Sequence, residues 1–187
     1  MEPHEIYWGL ENHVREFFAG HDVAKLMWTS GPIQTRLPRF RVLRVAPGPK
    51  AKLWVYVSLG AWEVGPDDAS LEFMIFAPAE SSRHVELLAM NAYYHSNHHL
   101  GLGHTFPIGE PWLEGSTCDH MLVSLPYPFG EKLEICELDG QHVHLYWNLP
   151  ITLAERNFKA ENGLEALEEL FEKRGLEYWC VDRNSVV

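Results

Sequence analysis

The chain has 187 residues, 46% of them apolar and 12% aromatic, enough to bury roughly 70% of the surface its unfolded form exposes and to form a single domain. Twenty-six acidic against fifteen basic side chains leave a formal charge of −11, so the surface as a whole repels nucleic acid and favours a basic partner. No apolar run approaches the about eighteen residues that span a bilayer, and the opening MEPHEIYWGLENHVREFF lacks the basic and then apolar blocks of a signal peptide, so a cytoplasmic protein without a membrane contact is expected.

Near the N-terminus, Ile6, Leu10, Val14, Phe17 and Phe18 recur at three- to four-residue spacing, and Gly20 follows as a stop, which predicts an amphipathic helix within residues 1–22. A proline-punctuated stretch from Gly31-Pro32 to Pro38 leads into three runs that read as strands: Phe40 to Val45, Leu53 to Leu59 and Leu71 to Ala77. The connections APGPK and GPDD carry turn residues, so the three form an antiparallel meander. After Ser81-Ser82 the spacing of Val85, Leu88, Ala89 and Ala92 predicts a second helix to about Tyr94, packed on the sheet. From His95 to Gly115 the chain is rich in His, Gly and Pro, and a loop of that length is a place to look for function.

Strand patterns return at Met121 to Leu125, Leu133 to Leu138 and His142 to Leu149. Asp139-Gly140 joins the last two as a type I′ hairpin turn, which needs positive φ at both central residues. Thr152 and Glu155 stand three apart as a capping box, and the stripe Leu164, Leu167, Leu170 and Phe171 continues to a Gly175 stop with a break at Gly163.

Several constellations invite a chemical reading. His95, His98, His99 and His104 lie close together, with Asp119 and His120 further on, and imidazoles this dense suit zinc. Neither HExxH nor another fixed carboxylate spacing accompanies them, so a metal-dependent hydrolase using the His95 to His104 cluster stands as an alternative to a polar loop whose histidines face water or cap backbone. Cys118-Asp119-His120 brings a thiol near an imidazole without a GxSxG elbow or other triad element; Cys136 and Cys180 are scattered, and the odd count argues against a disulfide framework. His142 and His144 share one face of a strand, the solvated one. Arg36, Arg39, Arg41, Arg44 and Lys50 likewise read as a solvated face, as do Glu165, Glu168, Glu169 and Glu172 along the last helix.

The blocks LPYPFGEKLEI at Leu125 to Ile135, LPITLAERNFKAENGLEALEELFEKRG at Leu149 to Gly175 and DRNSVV at Asp182 to Val187, in that order and spacing, resemble the suppressor of fused domain family. WVYVSLG at Trp54 to Gly60, EFMIFAP at Glu72 to Pro78 and HHLGLGHTFPIGEPW at His98 to Trp112 extend the likeness upstream. The resemblance implies an α+β domain with a mixed, largely antiparallel sheet and helices packed on it, over residues 23–187 as its core. It further implies a protein-binding rather than catalytic role, with no cofactor. Animal relatives clamp an extended peptide of a Gli-type factor between two halves, whereas this chain is similar to the N-terminal half alone. Its stand-alone bacterial form implies an immunity protein that neutralises a toxin; a homo-oligomeric scaffold or regulatory module is a further alternative. An unpaired sheet edge can accept a peptide as an added strand, so His98, His99, His104, Trp112, Tyr127 and Phe129 are the candidate contacts for a protein or extended peptide.

Overall fold

Period-two burial organises the centre of the molecule. In the computed structural model, which describes residues 2–65 and 70–187, Leu71, Phe73, Ile75 and Ala77 of one strand enter one apolar core, while Met74 and Phe76 enter another on the opposite face. That strand, β4 (Leu71–Ala77), is buried at every position, the pattern of a strand covered on both faces.

The described residues form eight strands. With β1 (Val23–Leu26), β2 (Arg41–Val45), β3 (Trp54–Leu59), β4, β5 (Thr105–Pro107), β6 (Cys118–Ser124), β7 (Ile135–Leu138) and β8 (Gln141–Thr152), the sheet order is β1-β2-β3-β4-β8-β6-β5, and β7 also pairs β8. All pairings are antiparallel except β4 with β8, which run parallel in the register Leu71↔His144 to Met74↔Trp147. The fold is thus a mixed, mostly antiparallel sheet in an α+β domain, and β2 to β4 form the expected meander. The Pro66-Asp67-Asp68 turn lies outside the described residues.

Helices cover both faces. On one, α1 (Pro3–Phe17) presents Ile6, Leu10 and Val14, and α6 (Leu164–Arg174) presents Leu167 and Phe171. On the other, a short α2 (Ile33–Arg36) and a long α3 (Ser82–His98) bury Ile33, Val85, Leu88, Ala89 and Ala92. Burying such side chains contributes about 2 kcal/mol each, an upper figure because the unfolded chain is itself partly collapsed.

Several elements differ from the sequence reading: β1 and α2 are additional, and β6 starts at Cys118 and ends at Ser124 instead of running from Met121 to Leu125. The second helix continues one turn past Tyr94 to His98, because Tyr94 stacks on Phe106 and His95 and Ser96 are buried, so tertiary packing holds that turn. It ends where His99 takes the left-handed conformation at φ 47°. Within the His95 to Gly115 stretch, β5 adds a strand that three residues could not announce. Residues 131–134 form a helical turn, α4 (Glu131–Glu134), before β7 begins at Ile135. β8 runs on through Pro150 to Thr152, with Pro150 opposite Met121 of β6.

The local turn chemistry follows the sequence closely. Asp139 and Gly140 have φ of 36° and 87°, as a type I′ turn requires. At the head of α5 (Leu153–Asn162), the Glu155 N–H donates to Thr152 Oγ1 at 3.2 Å and the Thr152 N–H donates to the Glu155 carboxylate at 2.9 Å. Gly163 separates α5 from α6, and Gly175 ends α6 in the left-handed region.

Candidate functional site

The six residues singled out from sequence divide between the outside and the inside. His98 and His99 are exposed at the C-terminal end of α3, and His104 is exposed immediately before β5; Tyr127 is 60% exposed beside α6. Trp112 is 1% exposed, and its indole N–H donates to Ser116 Oγ at 3.0 Å, so it belongs to the core beside His84 rather than to a rim. Phe129 is half-buried, edge-on to Phe17, Phe18 and Phe76, and works as a packing wedge. The reason is local: residues 126–130 turn back on themselves through the Phe129 and Gly130 N–H groups donating to the Pro126 carbonyl, which points the ring inward and leaves Tyr127 outside.

The histidines do not converge on one point, although His95 and His99 lie edge-on with ring centres 6.2 Å apart. His95 faces Phe73 inside the α3 core, His98 stacks on Tyr94 at 4.2 Å, and the His104 ring accepts the Gly101 N–H at 3.1 Å. Among the described residues no group of three His, Cys, Asp or Glu side chains is placed to hold a metal ion. His120 is paired instead with Asp119 at 2.7 Å, and Cys118 is buried, with burial pushing its thiol up from the usual range. His142 is exposed, while His144 is half-buried and reaches the Glu134 carboxylate at 3.2 Å.

At β5 the backbone is the feature of interest. The His104 carbonyl accepts the Val123 N–H and the Ile108 N–H donates to the Asp119 carbonyl, both toward β6. Main-chain groups alternate in direction along an antiparallel strand, so Thr105 and Pro107 turn theirs the other way, where β5 ends the sheet among the described residues. Pro107 has no N–H, which leaves Thr105 as the donor on that side.

A second surface was not foreseen. Between β8 and α6 lies a groove of about 860 Å³. Its floor is Trp147, Leu149, Phe171 and Tyr178; Tyr127 and Trp179 stand at its rim, 60% and 46% exposed. Glu165, Glu168, Glu169 and Glu172 line it from α6, and the Tyr127 hydroxyl donates to Glu168 at 3.0 Å. The spacing of the four glutamates is visible in sequence as a helix face; the apolar floor beside them combines Phe171 of the same helix and Tyr178 just after it with Trp147 and Leu149 of β8, which only the tertiary structure brings there.

Polar groups buried elsewhere set the electrostatics of the domain. Glu72 is fully buried at the ends of β3 and β4, where it accepts the Gly60 N–H at 2.6 Å and the Ala61 N–H at 3.3 Å and takes the Ser58 hydroxyl. Burial nevertheless pushes its carboxyl up to about 7. Gly60 has φ 121°, and a Cβ there would lie 2.4 Å from the Tyr7 hydroxyl, so glycine is required. His84 and His95 are fully buried on α3, and burial brings each down to about 4, so both are neutral at pH 7. No helix among the described residues is long and apolar enough to cross a membrane.

A sheet covered by helices on both faces, with an open edge at β5, defines the class: a single α+β domain. The family model described as "Suppressor of fused protein (SUFU)" matches residues 36–184, and this chain belongs to that family. Among solved structures, a SUFU homolog from Neisseria gonorrhoeae FA 1090 is 37% identical, with 98% of each chain covered and a TM-score of 0.87. A chain of the Sufu–Fu complex is similar in fold at 13% identity and a TM-score of 0.66, covering 95% of this chain and 92% of that one. Drosophila Suppressor of Fused gives the same identity and TM-score, but this chain spans 51% of its length. A search of curated proteins found no match.

Proposed function

We propose that this chain is a non-enzymatic polypeptide-binding domain that acts in the cytoplasm as an immunity protein, neutralising a basic toxin by direct binding. The observation that carries the reading is the open edge at β5, where outward main-chain groups of Thr105 stand next to exposed His104, with His98 and His99 exposed at the end of α3. An extended segment added there gains backbone hydrogen bonds, and the flanking side chains set its register. The net charge of −11 attracts a cationic partner and raises its encounter rate. The structural neighbour in the Sufu–Fu complex is itself a protein bound to a protein, which supports the same use of the scaffold.

The test is co-expression with a toxin encoded by the neighbouring reading frame. Rescue of growth and co-purification are expected, with His98→Ala plus His104→Ala weakening capture about tenfold and lowering the thermal midpoint by only a few degrees, through the loss of the Tyr94 stacking and of the Gly101 N–H acceptor at exposed positions. A chain that neither rescues growth nor retains any polypeptide overturns the proposal.

A further inference from the structure

We infer that the groove between β8 and α6 is a second docking surface, built for a partner segment that carries apolar side chains flanked by lysine or arginine. It is formed by β8, α6 and the segment after α6 rather than by β5, and so goes beyond the edge-strand reading, although it shares the premise that the domain binds polypeptides.

Two features converge on this occupant. The first is shape and chemistry: an apolar floor of Trp147, Leu149, Phe171 and Tyr178 under about 860 Å³ of open groove accepts a few large apolar side chains. Tyr127 and Trp179 stand exposed at its rim, and aromatic side chains so placed provide large contact area at low entropic cost.

The second is charge. Glu165, Glu168, Glu169 and Glu172 supply all the formal charge that lines the groove. Lys50 and Lys52 line the neighbouring hollow, beyond the ridge made by Pro128, Tyr178 and Trp179, and so do not neutralise this wall. Spaced at three and four residues, the carboxylates follow one helix face, and cations spaced along a partner can meet them in register. A second copy of the chain, at −11, would be repelled here.

Trp147 itself is 4% exposed, so what the floor offers a partner is its apolar surface and not a polar anchor.

Fluorescence anisotropy on the full chain, with three labelled synthetic peptides of fifteen residues, tests this. One alternates Lys or Arg with Leu and Trp, the second replaces each basic residue by Glu, and the third keeps the charge but replaces each apolar residue by Ser. The first is expected to bind at micromolar concentration and the other two at least tenfold more weakly. Glu165→Lys plus Glu169→Lys, both exposed and tolerant of lysine in a helix, is expected to weaken the first peptide at least tenfold. Glu16→Lys plus Glu161→Lys makes the same change of net charge outside the groove and is expected to leave binding within twofold. Equal binding of the serine peptide, equal loss from both pairs of reversals, or no binding at all overturns the assignment. Peptide binding without toxin capture would remove the toxin reading alone, and capture without peptide binding would remove the groove alone.

Discussion

Two regions of this domain bury polar groups in opposite ways. At the C-terminal end of β8, Glu155 is fully buried yet completely engaged: it closes the cap of α5, receives Arg183 at 2.7 and 2.8 Å through both nitrogens of the guanidinium, and accepts the Val186 N–H at 3.0 Å. Arg183 also donates to the Pro150 carbonyl at 3.0 Å, so one ion pair ties the chain's last residues to a strand and a helix. Under α3, by contrast, Asn91 and His95 are buried with no hydrogen-bond partner among the described residues; His84 approaches the Ala79 backbone without reaching hydrogen-bond geometry. The paired region resists everything except loss of a partner. The unpaired one is tolerant at neutral pH, where its imidazoles are uncharged, and vulnerable when acid charges them.

Removing one partner is the hardest blow to the paired region. Arg183→Met strands the Glu155 carboxylate in the interior and is expected to cost about 3–5 kcal/mol in urea unfolding, while Glu155→Met plus Arg183→Met, which also takes the acceptor from the α5 cap and from the Val186 N–H, is expected to cost less than the sum of the two single losses. A double loss equal to the sum of the two single losses would show that the pair is not coupled.

The α3 region should fail by titration. His95 has a folded pKa of about 4, below its unfolded value near 6.5, so the unfolded chain binds the extra proton and stability falls as pH drops from about 6.5 to 4. The loss by pH 4 is about 3 kcal/mol for this one group. His95→Leu is expected to flatten that part of the acid limb, and an unchanged slope in pH-dependent urea melts would refute it.

Glu72 gives the smallest and opposite effect. Its folded pKa of about 7 lies above the unfolded 4.5, so the native state holds the proton more tightly and stability falls as pH rises from about 4.5 to 7 before levelling off. Between pH 6 and 8 the fall is about 1 kcal/mol, and Glu72→Gln should abolish it. Up to about pH 7 the two histidines together outweigh Glu72, and above it Glu72 outweighs them, so the wild-type chain should be most stable near pH 7. A maximum well above 7 would show that Glu72 is ionised without cost.

Much of the scaffold was legible because its signals are short-range. The Asp139-Gly140 turn, the Thr152–Glu155 box and the Gly163 and Gly175 breaks depend on neighbours within a few residues, and each took the expected form. The likeness of the Leu125 to Val187 blocks to a family was also correct, since the family match spans them almost to the end. The site was less legible. His98, His99, His104 and Tyr127 lie outside as a rim needs, but Trp112 and Phe129 turned inward, and sequence could not distinguish the two sets because aromatic residues suit cores and interfaces alike.

The sequence by itself determined the periodicities, the caps, the meander and the acidic excess, all of which follow from side chains a few positions apart or from simple counting. Only the tertiary structure decided that β8 would lie parallel to β4, that the tail would return to place Arg183 on Glu155, and that Trp147 and Tyr178 would floor a groove beneath four glutamates. Those pairings join residues far apart in the chain, and burial on folding, rather than any local preference, selects among the arrangements open to them.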